Sequence, residues 1–175
     1  LLLLLLFLIA ISDSDKTLSV KNWFNKENKY SSQKIPYWQL FLFQFQIIVV
    51  YFFGGIAKLN TDWLSGCTMY SVVENKLAYG SLLNILTIKQ LVMLLTFGGL
   101  IFDLSVGFLL IFKKTRMIGV LMVVAFHTIN IFSDIGIYVF PYLMLGLTIV
   151  FVPTYYYEKI ESKLLQAKKE SIQIR

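Results

Sequence analysis

Five apolar stretches dominate this chain and leave it few folds to choose from. They cover residues 1–11, 35–57, 91–112, 117–132 and 135–152. A helix needs about 20 apolar residues to cross the ~30 Å hydrocarbon core of a bilayer. Inside that core no water satisfies a backbone N–H or C=O, so a crossing segment must bond within itself, as a helix does. The sequence therefore reads as all-α: a polytopic transmembrane helical bundle of about four full spans plus a truncated first helix. Pro141 lies inside the fifth stretch, where a proline is tolerated but predicts a kink.

Composition removes the soluble alternatives. Of 175 residues, 57% are apolar and 15% charged, against about 45–50% and 25% in ordinary soluble domains. So few charges cannot cover a globule that rich in apolar residues. A soluble enzyme, a disordered tail and a disulfide scaffold are excluded, the last because Cys67 is the single cysteine. One transmembrane domain is expected over residues 1–153. Residues 154–175 form a polar tail whose mixed charges suit a solvated, cytoplasmic helix. The chain opens at Leu1 in the middle of an apolar run and without Met. It reads as a fragment with its N-terminal helices missing, and no basic n-region marks a signal peptide.

The net charge of +6 would point to nucleic acid in a soluble protein. In a membrane chain it sets orientation instead, because basic residues near spans collect on the cytoplasmic side; no nucleic-acid partner is expected. Alternating the spans puts the 12–34 loop, the Lys113–Arg116 turn and the tail on one side. That side holds thirteen of the sixteen basic residues; the other keeps Lys58, Lys76 and Lys89. The first side is then cytoplasmic, and Lys58 faces the lumen or periplasm. The bilayer is the endoplasmic reticulum membrane in a eukaryote and the inner membrane in a bacterium.

Polar residues inside apolar spans are the candidate functional residues, since burying them in lipid is costly. Lys58 closes the second stretch. It is either a lysine snorkelling from a span end or an amine desolvated at the membrane boundary and able to act as a base. Gly54 and Gly55, just before it, allow close approach by another helix or a flat ligand. His127 and Asn130, spaced i and i+3, share a helix face and serve either as an interhelical hydrogen-bonding pair or as part of a pocket. Asp103, in mid-span, must be neutral or paired across the bundle. Asp62 and Trp63 are placed to cap a helix and to anchor the interface. No metal is expected, because the lone histidine leaves a zinc centre without ligands. The residues alone give a helical bundle with a polar cluster near one face, and no reaction.

The run V-Y-F-F-G-G-I-A-K-L-N-T-D-W-L-S-G-C-T-M from Val50 to Met69 resembles the vitamin K-dependent gamma-carboxylase family. That family lies within the wider horizontally transferred transmembrane domain superfamily. The resemblance continues through Gly98-Gly99-Leu100-Ile101-Phe102-Asp103-Leu104-Ser105-Val106-Gly107 and through Phe126-His127-Thr128-Ile129-Asn130. It covers roughly residues 12–153. It implies a peptidyl-glutamate 4-carboxylase, of the carbon–carbon lyase class. Such enzymes couple oxygenation of vitamin K hydroquinone to its epoxide with carboxylation of glutamate residues in a protein substrate. The cofactor implied is vitamin K hydroquinone, with O2 and CO2 as co-substrates. The resemblance makes Lys58 the base that deprotonates the quinol, with His127 as the second candidate catalytic residue. Asn130, Asp62, Trp63, Asp103, Gly54 and Gly55 would be pocket or structural support. Asp15-Lys16 stands where the family carries an Asn-His pair, Ala57 replaces a neighbouring lysine, and the family's large lumenal domain is not in this sequence. The alternative is a non-carboxylating membrane protein of the same superfamily, quinone-binding or structural.

Overall fold

The computed structural model describes residues 2–12, 36–74, 85–132, 139–157 and 159. All the regular elements among them are helical. In chain order they are α1 (Leu2–Ile11), α2 (Tyr37–Ala57), α3 (Thr61–Leu64), α4 (Cys67–Glu74), α5 (Ile88–Ile111), α6 (Arg116–Phe132) and α7 (Val139–Thr148). A 3-10 turn, Ile149–Phe151, follows α7. Asp15-Lys16, the Ser133-Asp134 turn and most of the expected tail lie outside the described residues. The chain forms two compact units, Leu1–Phe108 and Leu109–Arg175.

Among the described residues, two helices, α2 with 21 residues and α5 with 24, are long and apolar enough to cross a membrane. Among the described residues, the other helices of the expected four spans are shorter. At 1.5 Å per residue, the 17 residues of α6 reach only about 25 Å. The α7 helix has 10 residues. Only 22% of the apolar window of α2 and 39% of that of α5 is buried. The core helix of a soluble protein would be mostly buried. Here Phe41, Phe45, Phe53, Leu94, Ile101 and Phe108 point outward, which is the surface a hydrocarbon solvent accepts.

In the first unit, α1 packs on α2. The buried residues Gln39, Gln44, Ile47, Tyr51 and Gly55 make one stripe along α2, at the three-to-four-residue repeat of a helix face. That stripe meets α5 in antiparallel fashion. A Cβ built on Gly107 would lie 3.4 Å from Ile48 Cγ2, and one built on Gly55 would lie 2.6 Å from Leu104 Cδ2. Between these points the Tyr51 and Phe102 rings meet edge to face, with centroids 5.7 Å apart.

The start of α5 lies three residues before the apolar run. Thr87 and Gln90 form a reciprocal capping box: the Thr87 amide donates to Gln90 Oε1 at 2.9 Å, and the Gln90 amide donates to Thr87 Oγ1 at 3.3 Å. Each bond satisfies an amide that the first helical turn leaves without a partner. The preceding segment contains α3 and α4. Met69 and Val73 of α4 bury against Leu91 and Val92 of α5, and Trp63 packs on that cluster.

Gly66 makes the turn between α3 and α4 with φ +82°. It follows the C-cap Ser65 of α3, where a left-handed residue ends a helix and glycine has no Cβ penalty. A Cβ there would also lie 2.8 Å from Val92 Cγ1. Gly66→Ala is therefore expected to cost roughly 1–3 kcal/mol, read as a lowered Tm of the protein in lipid nanodiscs. An unchanged Tm would refute this account of the turn.

In the second unit, α6 and α7 pack together; Gly119, Val120, Val123, His127 and Asn130 of α6 and Pro141, Met144 and Thr148 of α7 are buried. Pro141 is buried on α7. The Lys113–Arg116 turn does more than carry charge. Arg116 Nε donates to the Leu110 carbonyl at 3.0 Å and a terminal guanidinium nitrogen to that of Ile111 at 3.2 Å. A cation thus satisfies the carbonyls at the negative end of α5.

Candidate functional site

The first unit joins two residues 45 positions apart in sequence: Lys58 Nζ donates to Asp103 Oδ2 in a direct ion pair. The pair depends on glycines. Gly54 lies under the carboxylate, and a Cβ there would sit 3.3 Å from Asp103 Oδ2. Gly55 lets the α2 backbone approach Leu104, so that the end of α2 reaches the level of Asp103. The glycine pair was expected to admit a neighbouring helix or a flat ligand. A helix occupies that approach. Asp103 was expected to be neutral or paired across the bundle, and it is paired.

The turn after α2 fixes the lysine. Lys58 is the C-cap of α2. Asn60 then clasps both flanking helices: its Nδ2 donates to the Ala57 carbonyl at 2.7 Å, and its Oδ1 accepts from the Trp63 amide at 2.9 Å. Asn60, with extended φ and ψ, is the N-cap of α3. Asp62, expected in that role, sits within the first turn instead, where its negative charge favours the positive end of the helix. The cap must precede the helix and reach the amide three residues on; only Asn60 has that spacing to Trp63.

Trp63 packs inward on the cluster of Met69, Val73, Leu91 and Val92. Its indole Nε1 donates to the Thr96 carbonyl at 3.0 Å, and its edge lies near Gly99, where a Cβ would come within 3.7 Å. The ring faces Lys58, whose Nζ lies 4.9 Å from the ring centroid. Nζ therefore has a carboxylate on one side and an aromatic face on another. The lysine side chain is 20% exposed and the aspartate 10%, so Lys58 is the more accessible partner. Chemically, this is a proton donor–acceptor pair in an apolar environment, open from the lysine side.

In the second unit, His127 and Asn130 share the buried face of α6 as their spacing predicts; His127 is 1% exposed. The imidazole is held edge-on between Phe126 and Phe140, with centroids 5.4 and 5.8 Å away. Among the described residues no group of three metal-ligating side chains occurs.

The two long apolar helices, their outward aromatic faces and the few charges gathered at span ends define a membrane protein. A family model for the HTTM domain matches residues 1–156. The chain belongs to the HTTM domain family, whose domain is that of the vitamin K-dependent gamma-carboxylases. No solved structure matches it.

Proposed function

We propose that this chain is the quinol-handling membrane domain of a gamma-carboxylase-like protein, with Lys58 as the group that removes a quinol proton. The observation that carries the proposal is the Lys58–Asp103 pair, because lipid makes an ionisable pair costly and an unneeded one disfavoured. The surroundings suit a flat, lipid-soluble quinol. Lys58 ends an apolar helix, its side chain remains partly open, and the indole of Trp63 supplies a planar aromatic surface beside Nζ. When bound, vitamin K hydroquinone with O2 and CO2 would supply the chemistry that carboxylates glutamate residues of a protein substrate. The chain's own part is to hold the amine beside Asp103 at the end of α2, exclude water and accept a proton at Nζ. His127 and Asn130 are proposed as pocket residues on α6.

The proposed topology has four crossings, with the Lys113–Arg116 turn cytoplasmic and Lys58 lumenal or periplasmic. It rests on the distribution of basic residues. Cys67, exposed and single in the chain, tests it directly. A membrane-impermeant maleimide should label Cys67 only from the lumenal or periplasmic side. Labelling from the cytoplasm reverses the orientation.

The reaction is tested with the full-length protein in nanodiscs, supplied with vitamin K hydroquinone and O2. Epoxide should form, and Lys58→Ala should lower its rate by about 10²–10⁴-fold, the usual contribution of a positioned base. An unchanged rate in Lys58→Ala removes the base assignment. Quinone binding without epoxide in the wild-type protein selects the non-carboxylating, quinone-binding reading.

A further inference from the structure

An ammonium bonded to a carboxylate is not a base, so the pair that marks the site also poses a problem for its chemistry. Lys58 can accept a proton only after losing one, and the direct contact from Nζ to Asp103 Oδ2 names where that proton can go. We infer that Asp103 is the proton acceptor that converts Lys58 into a base, and that the two work as a dyad.

The step balances without any further reactant. An N–H bond of Lys58 breaks and an O–H bond forms at Asp103 Oδ2, so that ammonium and carboxylate become amine and carboxylic acid with no change in net charge. The freed amine then takes the proton of a quinol hydroxyl, and the electron pair of that O–H bond stays on the oxygen. The net change is one proton moved from the hydroxyl to Asp103, with Lys58 restored to its starting form. This rests on the proposal that the chain handles a quinol.

Three observations support the dyad. No atom separates the two partners, so no water need enter. The absence of a Cβ on Gly54 leaves Oδ2 room beside α2. Burial is graded, with Lys58 more open than Asp103, so a ligand meets the lysine first and the carboxylate lies behind it. An apolar environment lowers the cost of the neutral pair relative to the ionic one, since charges lose most by desolvation. A lysine exposed to bulk water could instead discharge its proton to solvent and would need no such partner.

The test compares wild-type protein, Asp103→Asn and Asp103→Glu in nanodiscs. Quinol binding is measured without oxygen, infrared difference spectra are taken on binding, and epoxide formation is followed in oxygen. In the wild type, quinol binding should bring up a carboxylic-acid carbonyl band. That band should be missing in Asp103→Asn and displaced in Asp103→Glu. Asp103→Asn should bind quinol normally but form epoxide about a hundredfold more slowly, with partial recovery in Asp103→Glu. Epoxide formation with no such band, or at the wild-type rate in Asp103→Asn, overturns the dyad and leaves the proposed function standing. Binding and the band without epoxide overturn the proposed function and leave the dyad. Absence of quinol binding overturns both.

Discussion

Lys58→Met is expected to destabilise the protein more than Asp103→Leu, and the double variant is expected to be more stable than Lys58→Met alone. Removing one member of a buried ion pair typically costs about 3–5 kcal/mol, because the remaining charge loses its partner and has no water to replace it. The two partners differ in how they can escape. Without Lys58, Asp103 stays in mid-span on α5 and can only take up a proton. Without Asp103, Lys58 ends α2 and its four-carbon stem can carry the ammonium toward the interface. Asp103→Leu should therefore cost about 1–3 kcal/mol, below the full penalty. Replacing both with apolar groups removes the stranded charge, and such replacements are often neutral or stabilising. Thermal unfolding of the four proteins in one lipid gives the cycle. Additive losses in the double variant would mean that the two side chains do not interact. Epoxide formation separates the roles further, since the double variant should recover stability and remain inactive.

Gly55→Ala is the second large effect, and the contrast with Gly98→Ala defines it. A methyl at position 55 would stand 2.6 Å from Leu104 Cδ2 and 3.2 Å from the Leu104 backbone nitrogen. A leucine methyl can swing aside, but backbone can move only with its helix. The substitution should push α2 from α5 and cost about 1–3 kcal/mol, as overpacking does, with a further loss because Lys58 moves off Asp103. Nothing lies within 4 Å of a Cβ at position 98. There alanine should be neutral or stabilising by up to about 1 kcal/mol, since glycine is a poor helix former. Equal effects at both positions would refute the close approach at Gly55.

The parts of this structure legible in sequence are those set by local pattern. Apolar stretches marked the helices, the spacing of His127 and Asn130 placed both on one buried face, and Asp103 in mid-span implied a partner or neutrality. The identity of that partner was not legible, because no local rule connects positions 58 and 103. Helix ends were missed for a different reason. Hydropathy reports which residues prefer lipid, whereas helix starts are set by hydrogen bonding. The T-I-K-Q sequence at Thr87 carried a capping-box signal, and N-T-D-W at Asn60 carried a cap signal, but both begin outside the apolar stretches. Trp63 was read as an interface anchor from its position just past Lys58. Its indole bonds the Thr96 carbonyl, which no sequence spacing announces.

The unequal lengths of the two joined helices have a consequence for the lipid. At 1.5 Å per residue, α2 spans about 31 Å and α5 about 36 Å. Only α2 matches a hydrocarbon core of ~30 Å without adjustment. The surplus of α5 is about one turn, and its first turn carries Lys89 and Gln90, which gain by reaching the headgroups. In a thinner bilayer α5 must tilt more or lift that turn further out. Because α2 and α5 meet closely at Gly55, the strain of mismatch falls on the same contact that holds Lys58 to Asp103. Membrane thickness thus becomes a mechanical input to a proton-bearing pair.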